Sequence, residues 1–377
     1  DFQDWVEEQG WKNDYEERPE DVRERFLSQA AYLLMNKLLF YKLLEDSTAY
    51  EVPDIAMEEL ADPETRREVF AGVVENVDFE AVYEHDPIFD QLSLTDIARE
   101  ETEELLEELE SYDLSEFDRD VIGQIYQGVI PPEERHDLGQ YYTPPEVVRL
   151  INQICITTGD DRVMDPGCGS GSFLVDAYRR LRDLDPELDH EGALDQIRGV
   201  DINRFPAHLS AINLALRDLE TATHEVNIEV ADFFNVDAIQ GRLSTEHAGV
   251  GDEEAEIHPF PARFDAVVAN PPYIRQEEIA HKDRCRQHLE RVEADLNRRS
   301  DIYGYFFTHA KEFLNEGGRL GFLTSDRWLN VGYGEALQDF FLDEFRVRAI
   351  INFSRQLFDI ALIGTCVTIL ERCDDEP

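Results

Sequence analysis

A short apolar run at 264–269, Phe-Asp-Ala-Val-Val-Ala, leads directly into Asn-Pro-Pro-Tyr at 270–273. Such a run predicts a buried strand of a parallel sheet. The prolines make the turn rigid and have no backbone N–H, so the carbonyls of the turn stay free to accept hydrogen bonds. A strand that ends in an amide and an aromatic ring therefore predicts an acceptor site for an amino group at the carboxyl edge of a sheet.

Strand and helix patterns alternate from about residue 130 onward. The predicted strands are 162–165, 197–201, 227–231, 264–269, 319–324, 347–353 and 365–371, and the predicted helices are 172–182, 206–219 and 303–314. This alternation predicts an α/β fold with a mainly parallel sheet and a ligand at its carboxyl edge. Two acidic inserts, at 183–195 and 235–263, are interpreted as surface loops without further elements.

The first 130 residues show helical spacing of apolar side chains, most clearly at 20–46 and 95–111. We therefore predict an all-α domain at 1–130, followed by an α/β domain at 131–377 that carries the chemistry. No candidate catalytic residue stands out in the first domain, so its expected role is packing or partner binding.

The chain is strongly acidic, with 83 Asp and Glu against 35 Lys and Arg and a formal charge of −48. Only five of the cations are lysines. Acids spread along a folded chain with so few lysines predict a protein of a salt-loaded cytoplasm, where molar salt shortens the Debye length to roughly 3 Å. Under such salt, a net negative charge is a weak argument against a nucleic-acid partner.

Five cysteines, at 155, 168, 285, 366 and 373, have no metal-ligand spacing. No metal is expected, and unpaired thiols are typical of a reduced cytoplasm. No apolar run approaches the roughly 18 residues of a membrane span, so no membrane partner is expected. The chain begins at Asp1 without a signal-peptide pattern, which favours a cytoplasmic piece of a longer protein.

A glycine-rich turn, Asp165-Pro-Gly-Cys-Gly-Ser-Gly-Ser-Phe173, joins the first predicted strand to its helix. Gly167, Gly169 and Gly171 allow close approach of a ligand to the backbone and to a helix N-terminus. Such a turn alone also fits NAD, another nucleotide or tight packing, although the missing lysine excludes a P-loop.

Acidic residues end the next two predicted strands. Asp201 can accept hydrogen bonds from both hydroxyls of a ribose. Asp232 can accept from an adenine amino group, and the neighbouring Phe233 ring can stack on a purine. Alone, Asp232 is better explained as a helix N-cap. As the third acid in successive strand ends, it predicts an adenosine pocket.

These segments, in this order, closely resemble the gamma class of S-adenosyl-L-methionine-dependent N6-adenine DNA methyltransferases of restriction-modification systems. The resemblance covers about residues 138–371 and includes Gly-Gln-Tyr-Tyr-Thr-Pro-Pro at 139–145. It implies a Rossmann-like class I methyltransferase sheet, mainly parallel, with one antiparallel strand near the C-terminal end. It also implies the cofactor residues Thr143 and Asp165 at the methionine end, Gly167, Gly169 and Gly171 around it, Asp201 at the ribose, Asp232 and Phe233 at the adenine, and Ile202 as a further cofactor-binding residue.

The resemblance implies a catalytic set of Asn270, Pro271, Pro272 and Tyr273. Adenine N6 is a poor nucleophile, and the Asn270 side-chain oxygen with the Pro271 carbonyl can accept both of its N–H groups. The base must leave the duplex, and Tyr273 and Phe358 are the candidates that stack on it. Ordinary core packing is the alternative for each ring. Cys168, which could suggest attack on cytosine, lies in the glycine turn and is interpreted as a packed residue.

Double-stranded DNA is the expected partner. Residues 275–299 hold seven cations against six acids, which predicts a phosphate contact, with a solvated helix as the equal alternative. Asp301 and Tyr303 match a family position near the site, although an N-cap and a buried ring explain them as well. The family also implies a recognition domain, a specificity subunit or a fused nuclease outside this chain. The open alternatives are methylation of a protein glutamine or of an RNA guanine amino group.

Overall fold

The structure is a computed structural model. It describes residues 2, 6, 15, 18–46, 52–53, 55, 57–77, 80–83, 89–110, 143–218, 226–237, 242–243, 263–274, 300–330, 334–353 and 364–373. Helices α1 to α11 are, in chain order, Pro19–Asp46, Met57–Ala61, Pro63–Val77, Glu80–Tyr83, Asp96–Glu110, Pro145–Cys155, Ser172–Leu184, His190–Asp195, Arg204–Ala215, Ile302–Ala310 and Gly334–Glu344. Strands β1 to β9 are Val163–Asp165, Ile197–Asp201, Ile228–Val230, Val236–Asp237, Arg242–Leu243, Phe264–Ala269, Leu314–Ser325, Phe345–Asn352 and Thr365–Arg372.

The chain forms two compact units, one of residues 1–141 with 204–228 and one of residues 142–203 with 229–377. The predicted boundary at 130 lies outside the described residues and stays a prediction. None of the helices described is long and apolar enough to cross a membrane.

The first unit is helical where it is described. The two helical patterns predicted there are confirmed as α1 and α5. Its apolar core joins residues of α1, α3 and α9. A buried Lys37 forms an ion pair with Asp90 at 3.0 Å, and the Tyr83 hydroxyl donates to the Lys37 carbonyl at 3.0 Å. Pairing is what allows a lysine to be buried in this core.

The second unit contains a seven-stranded sheet in the order β3-β2-β1-β6-β7-β9-β8. β1 pairs in parallel with β2 and β6, and β6 pairs in parallel with β7. β9 is antiparallel to both of its neighbours, β7 and β8. The predicted Rossmann-like fold, mainly parallel with one antiparallel strand near the C-terminal end, is therefore confirmed. The carboxyl ends of β2, β1 and β6 lie at one edge, where Asp201, Asp165 and Asn270 follow one another across the sheet.

The interpretation of the two acidic inserts as bare loops is wrong. The first insert contains α8, which begins where the Asp189 carboxylate accepts from the Gly192 amide at 2.8 Å and which buries Leu194. The second contains the antiparallel pair of β4 and β5, in which buried Val236 pairs with Leu243. Each of these elements buries only a few apolar side chains. That number is too small to produce a visible periodicity of apolar residues in the sequence.

Helix α6 is an element that the sequence did not predict. Its apolar stripe buries Val147, Val148, Ile151 and Cys155, and the helix packs on β6, β7 and β9. The Asn152 side chain of α6 donates to the Phe173 carbonyl at 2.9 Å, which ties α6 to the first turn of α7. One helix therefore contacts both the strand before Asn270 and the helix after the glycine turn.

Candidate active site

The glycine-rich turn is held against the end of β2. The Cys168 amide donates to the Val200 carbonyl at 2.9 Å, and the Gly171 amide donates to the Cys168 carbonyl at 2.8 Å. Gly169 has φ +52° and Gly171 has φ +85°, which is the left-handed region that disfavours side chains. Glycine is therefore required at these two positions by the backbone itself. Cys168 is buried, as the sequence predicted for a packed residue.

The two acids beside this turn already accept backbone hydrogen bonds. One Asp165 oxygen accepts from the Gly167 amide at 3.0 Å. The Asp201 oxygens accept from the Gly169 amide at 2.9 Å and from the Asn203 amide at 2.8 Å. Each carboxylate oxygen has two lone pairs, so both acids can still accept from a ligand. The same bonds fix the turn relative to the carboxylates.

Burial raises the pKa of both acids. The pKa of Asp201 rises to about 6, because desolvation outweighs the hydrogen bonds from the Asn203 and Gly169 amides. The pKa of Asp165 is raised well above its usual range, chiefly by burial and further by the charge of Asp201, although the bond from Gly167 opposes the shift. Two carboxylates that are costly to ionise favour a bound ligand that donates hydrogen bonds or carries positive charge.

The end of β3 differs in part from the expectation. The Asp232 carboxylate caps the following short helix by accepting from the Phe234 amide at 3.0 Å. The Phe233 ring is 2% exposed and packs against Phe306, His309 and Phe313. The predicted stacking of this ring on a purine is therefore corrected, because the core already covers it.

Ile202, next to Asp201, is 53% exposed, which is unusual for a large apolar side chain and leaves it free to cover a ligand. For Asp232, the capping bond leaves acceptor capacity on the carboxylate. The predicted contacts of both residues with an adenosine stay predictions.

The acceptor turn follows β6, as predicted. Asn270 donates from Nδ2 to the Thr143 hydroxyl oxygen at 3.1 Å. Its Oδ1 is buried and has no hydrogen-bond partner within the described parts of the chain. The next residue, Pro271, is buried as well. A buried oxygen without a partner is costly, which marks Oδ1 as the atom that awaits a donor.

Tyr273 is half-buried, and its hydroxyl lies 3.5 Å from the Leu323 carbonyl that it faces. After the turn, the Ile274 carbonyl accepts from the Ile302 amide at 3.2 Å. This bond brings together the two ends of the segment 275–299, which itself lies outside the described residues, so the phosphate contact stays a prediction. Asp301 occupies the N-cap position of α10 without a capping hydrogen bond, and Tyr303 is buried.

Phe358 also lies outside the described residues, but the ends of its loop are described. β8 ends at Asn352 and β9 begins at Thr365. The Asp326 amide, just after β7, donates to the Gly364 carbonyl at 2.9 Å. The loop therefore starts and ends at the edge of the sheet that carries Asn270, and the position of Phe358 near the base stays a prediction.

The residues at this edge fit two neighbouring ligands, which are a methyl donor with a nucleoside part and a substrate that carries an amino group. Acids and positive-φ glycines surround one part of the edge, and the Asn270 amide oxygen, which has no hydrogen-bond partner among the described residues, marks the other. The contact between Thr143 and Asn270, 127 positions apart, is the feature that sequence reasoning missed. The segment that carries Thr143 was assigned to the cofactor, and no local pattern indicates a contact across that separation.

Comparison with known proteins identifies the family. A family model described as N-6 DNA Methylase matches residues 117–376. The type II methyltransferase M.BstVI of Geobacillus stearothermophilus is 29% identical over 233 residues, which are 58% of this chain and 38% of that protein. The type I restriction enzyme MjaVII methylase subunit of Methanocaldococcus jannaschii is 33% identical over 189 residues, which are 48% of this chain and 28% of that protein.

A solved structure has the same fold. The type I restriction-modification system methyltransferase subunit of Streptococcus thermophilus superposes with a TM-score of 0.58 at 18% identity, over 98% of this chain and 83% of that chain. The chain spans well under half of the length of the two curated relatives. Because the family model covers more than half of the sequence, the chain belongs to the N-6 DNA methylase family.

Proposed function

We propose that this chain transfers a methyl group from S-adenosyl-L-methionine to N6 of an adenine that is flipped out of double-stranded DNA, as part of a restriction-modification or phage-defence system. The single observation that carries the proposal is the buried Oδ1 of Asn270 at the end of β6, which has no hydrogen-bond partner in the part of the chain that the structure describes. An exocyclic amino group is the donor that this oxygen lacks. The family membership supports the same reaction.

The cofactor, when bound, supplies an electrophilic methyl group on a sulfonium. Asn270 Oδ1 and the Pro271 carbonyl accept the two N–H groups of adenine N6. This pairing favours a pyramidal nitrogen, so that its lone pair turns out of the ring and toward the methyl group. Transfer of this methyl group to N6 would leave the electron pair of the broken S–C bond on the sulfur of the cofactor and would release one proton from N6 to solvent. Orientation of the two groups provides most of the acceleration, and no residue needs to form a covalent bond.

Residues around the two sites take up the cofactor and the base. Asp165 faces the methionine end, Asp201 faces the ribose, Asp232 faces the adenine of the cofactor, and Ile202 covers the cofactor. Tyr273 and Phe358 hold the flipped base between two rings.

Residues 275–299 bind the phosphate backbone. Sequence choice requires further parts, either a specificity subunit or a fused recognition domain, and a nuclease can belong to the same assembly. The proposed location is a salt-loaded cytoplasm, in which the charge of −48 is screened.

A parallel transfer assay tests the proposal. The protein that carries this chain, with any specificity subunit, is incubated in molar potassium chloride with methyl-labelled S-adenosyl-L-methionine and with DNA, RNA or a glutamine-containing release factor. Label in DNA alone, recovered as N6-methyladenine, is the expected result. Label only in protein or only in RNA guanine would overturn the proposal and favour the other acceptors of the same chemical type.

A further inference from the structure

The amide of Asn270 presents two nearly identical ends, and only one of them suits an amino-group substrate. Its oxygen accepts and its nitrogen donates, although the two ends have almost the same shape. If the nitrogen faced adenine N6, two donors would meet and no hydrogen bond would form. The acceptor site therefore depends on whatever holds the amide in its productive orientation.

In the structure, one side chain holds the nitrogen end. Asn270 Nδ2 donates to Thr143 Oγ1 at 3.1 Å, which leaves Oδ1 buried and open to a donor. Thr143 is itself only 5% exposed. A hydroxyl can both accept and donate, and in this structure it accepts from Nδ2, which places Oδ1 on the side that is open to a donor. We propose that Thr143 is a positioning residue, which fixes the Asn270 amide so that Oδ1 receives the amino group of the substrate.

The backbone at Thr143 is well suited to this role. Two prolines follow it, and a residue before proline is restricted to extended conformations. Pro145 begins α6, which packs on β6 and β7. Asn152 of α6 is tied to α7 by its bond to the Phe173 carbonyl at 2.9 Å. The hydroxyl therefore lies two residues before an element that is fixed to both the acceptor strand and the cofactor helix.

This inference rests on the proposed function and assigns a role that differs from a cofactor contact. A cofactor contact at Thr143 would appear in the dissociation constant of S-adenosyl-L-methionine. A positioning role appears in the transfer step, because the orientation of Oδ1 matters only when adenine N6 is present. The two roles are therefore separated by measuring binding and transfer on the same variants.

The test compares Thr143→Val, which keeps the shape but removes the acceptor, with Thr143→Ser, which keeps the hydroxyl. We expect Thr143→Val to lower the single-turnover rate at saturating cofactor about ten- to hundredfold, because a buried Nδ2 loses its partner. The cofactor dissociation constant and the KM for DNA should change less than about twofold. Thr143→Ser should restore most of the rate, and an unchanged melting temperature of each variant checks folding.

Four other outcomes are informative. An unchanged rate in Thr143→Val would overturn the inference, as would a weaker cofactor affinity with full recovery of the rate at saturation. Equal loss in both variants would show that the hydroxyl does not account for the effect, because Thr143→Ser retains it, and would also overturn the inference. Absence of N6-methyladenine with the unaltered protein would instead refute the proposed function itself, and is recognised before any variant is compared.

Discussion

Substitution of Gly321 tests the contact between α6 and β7. A Cβ at this position would lie 2.6 Å from Cys155 Sγ and 2.7 Å from Ile151 Cγ2, both on α6, and 3.2 Å from Ile369 Cδ1. Ordinary carbon contacts are about 3.5–4.0 Å, so α6 must move away by several tenths of an ångström or more. We expect Gly321→Ala to destabilise the protein by about 1–3 kcal/mol, which is typical of an overpacked core.

The assay is thermal unfolding of the protein in molar salt. A loss of about 1–3 kcal/mol corresponds to a fall in melting temperature of about 2–12 °C for a unit of this size. Methyl transfer should fall as well, because the displaced helix begins two residues after Thr143. The matched control is Gly72→Ala within α3, where no atom lies within 4 Å of the new Cβ. That change should stabilise α3 by about 0.5–1 kcal/mol.

A Gly321→Ala variant as stable as the unaltered protein would refute the described packing of α6 on β7. Destabilisation by both alanines would also contradict it, since the two changes are chemically identical and differ only in their surroundings.

Two further predictions concern the cofactor site. Because the pKa of Asp201 is about 6, this acid loses its negative charge and one acceptor site below that pH. Cofactor affinity, measured by calorimetry, should therefore weaken by up to about tenfold per pH unit below this value. An affinity that is independent of pH between about 5 and 8 would contradict a role for the ionised acid. Gly169→Ala should lower the melting temperature of the cofactor-free protein, because φ is +52° and a side chain in this region costs about 1–2 kcal/mol. Gly167→Ala should not, since its Cβ would lie 3.9 Å from the Phe306 ring, and equal melting temperatures for the two variants would contradict this account.

Much of the sheet could be predicted from the sequence because several of its strands are short, mainly apolar runs. β2 and β6 begin and end at the predicted residues, 197–201 and 264–269. The acids and the asparagine at the strand ends could be placed together because the carboxyl ends of parallel strands share one edge. Elements with only a few buried residues, such as α8 and the β4–β5 pair, show no recognisable pattern of apolar residues and were therefore not predicted.

Tertiary contacts account for what the sequence could not show. Phe233 follows a strand end and could equally face a ligand or the core, and the three rings that cover it come from the distant segment 302–313. The bond from Asn270 to Thr143 depends on how α6 packs on the sheet. Neither contact leaves a local pattern, because each is decided by the position of an element more than sixty residues away in the chain.

The most direct test of the central claim uses the Asn270→Ala variant. Its rate of N6-methyladenine formation and its affinity for the cofactor are both measured and are compared with those of the unaltered protein. Removal of the side chain deletes Oδ1 but leaves the glycine turn, Asp165 and Asp201 in place. We predict that no N6-methyladenine forms while the dissociation constant of S-adenosyl-L-methionine is unchanged. Continued methylation of adenine N6 by Asn270→Ala would contradict the role assigned to the end of β6.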